Sequence, residues 1–157
     1  MLFEGKSIQA LLNDAGFIEL IFDKKDDKIN KFDALTLDEL RAAVNIIQQT
    51  DAKGMMVYSN KKQFIVGADI KEFGGHFKKS PEEMVQWLGW CNSIFNDIED
   101  LPFPTVSLVN GVALGGGCEM ALSTDYRFID PKGKIGLPEI KLGIMPGFGG
   151  SVRLPRL

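Results

Sequence analysis

The sequence holds one histidine, two cysteines and two tryptophans among its 157 residues. With His76 as the only histidine and no Gly-x-Ser-x-Gly elbow to partner it, a Ser–His nucleophilic pair of the peptidase kind is excluded. Cys91 and Cys118 lie far apart, without a CxxC pattern or a histidine cluster nearby. That spacing excludes a zinc knuckle and a disulfide framework, and reduced thiols in a cytoplasm become the expectation. The formal charge is −3 with no basic stripe, which argues against nucleic acid as a partner. The longest apolar runs, such as FIELIF and TVSLV, fall far below the roughly 20 residues of a membrane-spanning helix. The N-terminal MLFEGKSIQ has neither the basic region nor the apolar stretch of a signal peptide.

What is present is the composition of a globular domain, 45% hydrophobic and 25% charged. The length fits one domain over residues 1–157. Two β-like runs, Ile8 to Leu12 and Phe17 to Phe22, flank the turn chemistry of Asn13-Asp14-Ala15-Gly16 and predict a hairpin. Lys24, Lys25 and Lys28 mix with Asp26 and Asp27 in what reads as a solvated loop. A helix is expected from Thr36, with a Thr36–Glu39 capping box and an apolar face of Leu37, Leu40, Val44 and Ile47. Gly54 to Tyr58 reads as a buried strand, followed by a loop over 60–69 and a short turn near Ile70–Phe73. Ser80-Pro81-Glu82-Glu83 opens a second helix, which carries Met84, Trp87, Leu88, Cys91, Ile94, Phe95 and Ile98. Trp87, Trp90 and Phe95 read as core, as does Cys118, and His76 as a surface residue. A strand at Thr105 to Val109, a glycine-rich turn, a helix from Gly116 and a strand near Tyr126 to Ile129 complete an α/β alternation. The closing GGSVRLPRL reads as the opening of a helix.

Three segments carry candidate chemistry. In the first, Asn110 to Glu119, Gly115, Gly116 and Gly117 bring backbone N–H groups to a helix N-terminus, where the dipole favours negative charge. A dinucleotide fingerprint does not fit, because Met120 stands where its last glycine belongs. A tight structural turn is the competing reading of the glycines alone. Glu119 follows beside Met120, Ala121 and Leu122, in an environment that predicts burial. In the second segment, Ile135 to Gly150, Glu139 follows Pro138 in an apolar, turn-rich stretch. Buried glutamates must be paired, hydrogen-bonded or protonated, and two of them beside glycine-rich backbone point to general acid–base work. The third segment, Gln63 to Ile70, contains Gly67, Ala68, Asp69 and Ile70 and taken alone is a turn.

Together GADI at Gly67–Ile70, NGVALGGGCE at Asn110–Glu119 and GLPEIKLGIMPGFGG at Gly136–Gly150 resemble the crotonase (enoyl-CoA hydratase/isomerase) superfamily, in order and in spacing. INKFDAL at Ile29–Leu35 and GGSVRLPR at Gly149–Arg156 are most similar to the N-terminal part of multifunctional α-subunits of bacterial fatty-acid oxidation complexes. The resemblance implies a spiral of ββα units binding an acyl-CoA. It implies Glu119 and Glu139 as the catalytic pair and the Ala68 and Gly116 amides as an oxyanion hole. Gly67, Asp69, Ile70, Gly115, Gly117 and Pro138 would line the substrate. Hydration of 2-enoyl-CoA and isomerisation of enoyl-CoA double bonds follow, with no cofactor or metal in this domain. One of two close carboxylates in a dry site is expected to stay protonated near neutrality. The resemblance further implies that residues 1–157 are the N-terminal portion of the domain. The remainder, and an NAD-dependent 3-hydroxyacyl-CoA dehydrogenase part, would lie outside this chain. A thiolase β-subunit and self-association are the implied partners. The alternative is a non-catalytic fragment that keeps the fold and acyl-CoA binding.

Overall fold

The computed structural model describes residues 1–157, apart from the Phe77 side chain. Strands β1 (Phe3–Glu4), β2 (Ile8–Leu12) and β3 (Phe17–Phe22) pair in antiparallel order, and the turn at Asn13–Gly16 is the one the sequence predicts. Asn13 Oδ1 accepts from the amides of Ala15 and Phe17, and Gly16 takes the left-handed φ of +86° that closes the hairpin.

From β3 onward the large sheet is parallel. Its order is β1-β2-β3-β4-β6-β8, with β4 at Gly54–Ser59, β6 at Thr105–Val109 and β8 at Tyr126–Ile129. A second sheet has the order β5-β7-β9, built from Ile65–Val66, Val112–Leu114 and Lys134–Gly136. Each of β4, β6 and β8 is therefore followed by one strand of the small sheet. This repeating pair, with helices interposed, is the spiral of ββα units. No strand is expected from the sequence at β1, β5, β7 or β9. Each is only two or three residues long, too short for a period-two pattern to register.

Helix α1 (Ala34–Ile47) buries Leu37, Leu40, Val44 and Ile47, the four residues expected of its apolar face. Its cap is not the one predicted. Asp33 is the N-cap, accepting from the Thr36 amide at 2.9 Å and its hydroxyl at 2.7 Å. The Glu39 side chain reaches away from the helix and accepts from the backbone amides of Lys6 and Ser7, both at 2.8 Å, and of Ile8 at 3.1 Å. A carboxylate that can satisfy three amides of the β1–β2 turn outcompetes a local box, which offers it one. The lysine loop is also less solvated than expected, since Lys24 pairs with Asp33 at 2.7 Å and its side chain is 14% exposed.

Short helix α2 (Ile70–Phe73) and a 3₁₀ turn at His76–Lys78 lead to the long helix α3 (Pro81–Glu99). The Ser80–Glu83 capping box is formed in both directions, with proline at the start of the helix. Cys91, Ile94, Phe95 and Ile98 are buried, whereas Trp90 lies on the outer face at 36% exposure, contrary to its placement in the core. Gly89 sits inside α3 with open space where a Cβ would be. Gly89→Ala is expected to stabilise the fold by about 0.5–1 kcal/mol, because alanine restricts the unfolded chain and propagates a helix better. Urea denaturation of the variant measures this; a destabilised variant would contradict it.

The core lies between the large sheet and helices α1 and α3, and it continues under α4 (Gly116–Leu122). Helix α5 (Gly150–Arg153) and a 3₁₀ turn at Leu154–Arg156 follow, in keeping with the helical reading of GGSVRLPRL.

Candidate active site

The three strands of the small sheet run parallel, and each delivers a candidate segment just past its C-terminal end. Ala68 follows β5, the three glycines and Glu119 follow β7, and Glu139 follows β9. The C-terminal edge of parallel strands is where chains diverge and open a crevice.

Register decides how two of these segments meet. Ile65 pairs with Ala113 and Val66 with Leu114. Continued by two residues, the same register sets Gly67 against Gly115 and Ala68 against Gly116. The approach is close enough that a Cβ on Gly115 would lie 3.6 Å from the Gly67 Cα. Gly67 and Gly115 have φ values of +67° and +53°, a region costly for any other residue. Gly117 packs so tightly on the Ile65 carbonyl that a Cβ there would overlap it.

These contacts aim two amides. The Gly67 carbonyl accepts from the Phe32 N–H at 3.0 Å, so across a trans peptide the Ala68 N–H points the opposite way, to the side on which β5 faces β7. Gly116 is the first residue of α4, where amide protons have no intrahelical acceptor. Among the described residues neither amide donates to a protein acceptor. The surroundings are apolar. A Cβ on Gly116 would lie 2.9 Å from the Phe32 ring and 3.3 Å from the Phe148 ring, and Phe148 stacks on Phe95 with centroids 5.2 Å apart.

Glu119 is 1% exposed. Its Oε1 accepts from the backbone amides of Phe148 and Gly150, both at 2.8 Å, and Oε2 has no protein donor among the described residues. Burial raises the Glu119 pKa most strongly. The two amides oppose this, and the nearby Glu139 charge adds to it, leaving the carboxyl above its ordinary value. Glu139 is 9% exposed and begins a 3₁₀ turn, Glu139–Leu142, directly after Pro138. Its Oε1 lies 3.0 Å from where a Gly115 Cβ would stand, at the start of the helix that carries Glu119. Its Oε2 is buried without a hydrogen-bond partner among the described residues. Buried polar atoms are nearly always satisfied, so an orphaned carboxylate oxygen makes Glu139 a candidate for acid–base work.

The structure thus brings together Gly67, Ala68, Gly115, Gly116, Gly117, Pro138, Glu119 and Glu139. Two other candidates stand apart. The Asp69 carboxylate caps α2, accepting from the amides of Lys71 and Glu72, and pairs with Lys31 at 2.9 Å. Its side chain is therefore occupied with holding the loop. Ile70 turns its side chain to solvent, at 61% exposure.

His76 is not the plain surface residue expected: it stacks on Trp87 with centroids 4.2 Å apart, and its Nδ1 is buried without a partner among the described residues. Burial pulls its pKa down. Cys118 is buried as expected, and burial pushes its thiol up to about 11, far from a reactive thiolate. Among the described residues no group of three or more His, Cys, Asp or Glu side chains is placed to hold a metal ion.

The sequence reading missed the residues that hold Glu119, namely the amides of Phe148 and Gly150. Their signal was present in Gly147-Phe148-Gly149-Gly150. A run of glycines around one aromatic frees amides to turn inward, but nothing local says toward which acid.

The profile of the enoyl-CoA hydratase/isomerase family matches residues 14–157. Over the whole chain the sequence is 54% identical to the fatty acid oxidation complex subunit alpha of Pseudomonas entomophila (strain L48), and equally to that of Pseudomonas putida (strain GB-1). The chain spans 22% of the length of each of these relatives. Among solved structures, an enoyl-CoA hydratase from Geobacillus kaustophilus HTA426 superposes with a TM-score of 0.87 at 33% identity, covering 99% of this chain and 58% of that one. An enoyl-CoA hydratase from Bacillus anthracis gives 0.84 at 28% identity, covering 96% and 58%. With the fold, the order of its three glycine-bearing segments and the family profile in agreement, this chain belongs to the enoyl-CoA hydratase/isomerase family.

Proposed function

We propose that this chain carries the hydratase centre of a protein that adds water across the double bond of a 2-enoyl-CoA thioester and also isomerises enoyl-CoA double bonds. The observation that carries the reading is the pair of buried acids at one helix N-terminus beside two amides, where among the described residues one oxygen of Glu139 lacks a partner and the two amides lack acceptors.

The geometry suits the chemistry. Attack of water on the β-carbon drives negative charge through the conjugated system onto the thioester oxygen. Donors fixed in advance at that oxygen stabilise the enolate-like state without reorganising; removal of one such donor elsewhere costs roughly 3–4 kcal/mol. The Ala68 and Gly116 amides are the donors in this reading, the second reinforced by the end of α4. Glu119 Oε2 accepts a proton from the attacking water, while the two amides on Oε1 keep the carboxylate oriented. Glu139 delivers a proton to the α-carbon. In isomerisation the same Glu139 carboxyl moves a proton between carbons. Protonation of one acid while the other is ionised satisfies two carboxyls in a dry crevice.

The 54% identity to alpha subunits of fatty acid oxidation complexes supports a place for the chain in such a protein. There an NAD-dependent dehydrogenase part would oxidise the 3-hydroxyacyl product to the 3-ketoacyl thioester, and a thiolase β-subunit would cleave that. Self-association and a cytoplasmic setting go with the same reading. Among the described residues no helix is long and apolar enough to cross a membrane.

The test is hydration of a short 2-enoyl-CoA by the full-length protein, followed by loss of enoyl thioester absorbance. Glu139→Gln is expected to lower kcat by roughly 10²-fold while acyl-CoA binding persists, because the acid is lost and the shape kept. An unchanged rate removes Glu139 from the mechanism. A wild-type protein that binds acyl-CoA without turning it over makes this a binding fold instead.

A further inference from the structure

Arg153 ends α5 at only 8% exposure, and all three guanidinium nitrogens are engaged. Nε and Nη2 meet Glu99 Oε2 at 2.9 and 2.7 Å, and Nη2 also donates to Asn96 Oδ1 at 2.8 Å, both partners lying on α3. Nη1 turns back to the Phe148 carbonyl at 3.1 Å. On its way the guanidinium crosses Gly149, whose φ is +96° and whose Cβ, if it had one, would collide with Nη1. Asn92 adds a second tie from α3, donating to the Gly147 carbonyl at 2.7 Å. The segment fixed in this way is the one whose Phe148 and Gly150 amides grip Glu119 Oε1.

We propose that Arg153 is a positioning residue for the Glu119 carboxylate, locking the 148–150 turn to α3 so that two amides hold one oxygen and leave the other for water. The inference rests on Glu119 being the base of the reaction. A surface clamp would need no such burial, and a plain tie between α3 and α5 would not reach back to Phe148. A planar cation whose three nitrogens donate in different directions does both at once, which an ammonium cannot. Electrostatics run the same way. The charged groups that act on Glu119 are Glu139, from the 3₁₀ turn, and Arg153, from α5, and Arg153 draws the Glu119 pKa down where Glu139 raises it. Arg153 thus serves both the orientation and the ionisation of one carboxylate.

The experiment compares Arg153→Gln, Arg153→Lys and wild type in the full-length protein, measuring kcat, KM and the acid limb of kcat/KM for 2-enoyl-CoA hydration. Arg153→Gln is expected to lower kcat roughly 10- to 100-fold with little change in KM, since misplacing a reacting group by about 1 Å can cost roughly 100-fold. Its acid limb should move up by about half a pH unit as a cation near the base is lost. Arg153→Lys restores the limb but recovers kcat only in part. Should Arg153→Gln fail to fold, Asn96→Ala, which removes one guanidinium partner, decides by a fall of several-fold in kcat. A folded Arg153→Gln with the wild-type limb, or an Asn96→Ala at the full rate, overturns the proposal. Retained activity in Glu119→Gln would instead strike the reading of the base, and the inference with it.

Discussion

Glu119→Gln in the full-length protein is expected to lower kcat/KM for 2-enoyl-CoA hydration by roughly 10³- to 10⁴-fold, the upper range for loss of a general base. The fold should not suffer. A glutamine carbonyl still accepts from the Phe148 and Gly150 amides, which the wild type engages at 2.8 Å each. What the variant loses is a charge that burial disfavours. The Glu119 pKa is raised in the folded protein, burial being the largest cause. A raised carboxyl pKa means that the folded state binds the proton more tightly than the unfolded one. Its contribution to stability is complete below the unfolded-state value and is lost as pH rises through the folded one. Glutamine has no such dependence, so the stability difference should shift in favour of Glu119→Gln between about pH 4 and neutrality. Urea denaturation across that range reads it directly. A shift in favour of wild type would mean that ionised Glu119 stabilises the fold, and the account of its raised pKa would fail. Glu119→Ala is a useful contrast, since two buried amides then lack a partner, at a cost of about 2–4 kcal/mol.

Gly117→Ala is expected to damage both fold and activity. The new Cβ would overlap the Ile65 carbonyl oxygen, a backbone atom inside the small sheet that no rotamer change can move aside. Relief requires α4 to lift from β5 or β5 to part from β7. Overpacking of this kind costs about 3 kcal/mol. The catalytic consequence follows from register. Ala68 and Gly116 face each other only because β5 and β7 stay paired up to Val66–Leu114. A shift of α4 moves one amide and leaves the other behind. The molecules that still fold should show kcat reduced by roughly 10²- to 10³-fold, comparable with loss of an oxyanion donor. Gly89→Ala, in open space on α3, is the matched control that should tolerate its methyl. An active, stable Gly117→Ala would show that the β5–α4 contact does not set the site.

The parts of the molecule written in local pattern were legible in the sequence. The β2–β3 hairpin, the Ser80–Glu83 capping box and the apolar face of α1 each depend on neighbours within a few residues, and each lies where its pattern predicts. Burial of Glu119 was also readable, because Met120, Ala121 and Leu122 share its short helix and all are buried.

Where two distant segments compete for one group, the pattern failed. Glu39 was assigned to a local cap, yet it binds the amides of Lys6, Ser7 and Ile8, more than 30 residues back. Trp90 carries the hydrophobicity of a core residue but sits on the outer face of α3. The strands of the small sheet were invisible because two or three residues have no period.

By itself the sequence determined that glycines and acids occur in three segments of fixed order, and which helices and hairpin connect them. Only tertiary structure decided that β5, β7 and β9 end side by side. That arrangement aims the Ala68 amide toward Gly116, seats Glu139 at the start of the Glu119 helix and brings Arg153 behind Phe148. The reason is physical: hydrogen bonds between parallel strands set position across long stretches of chain, and no local preference encodes where such partners will meet.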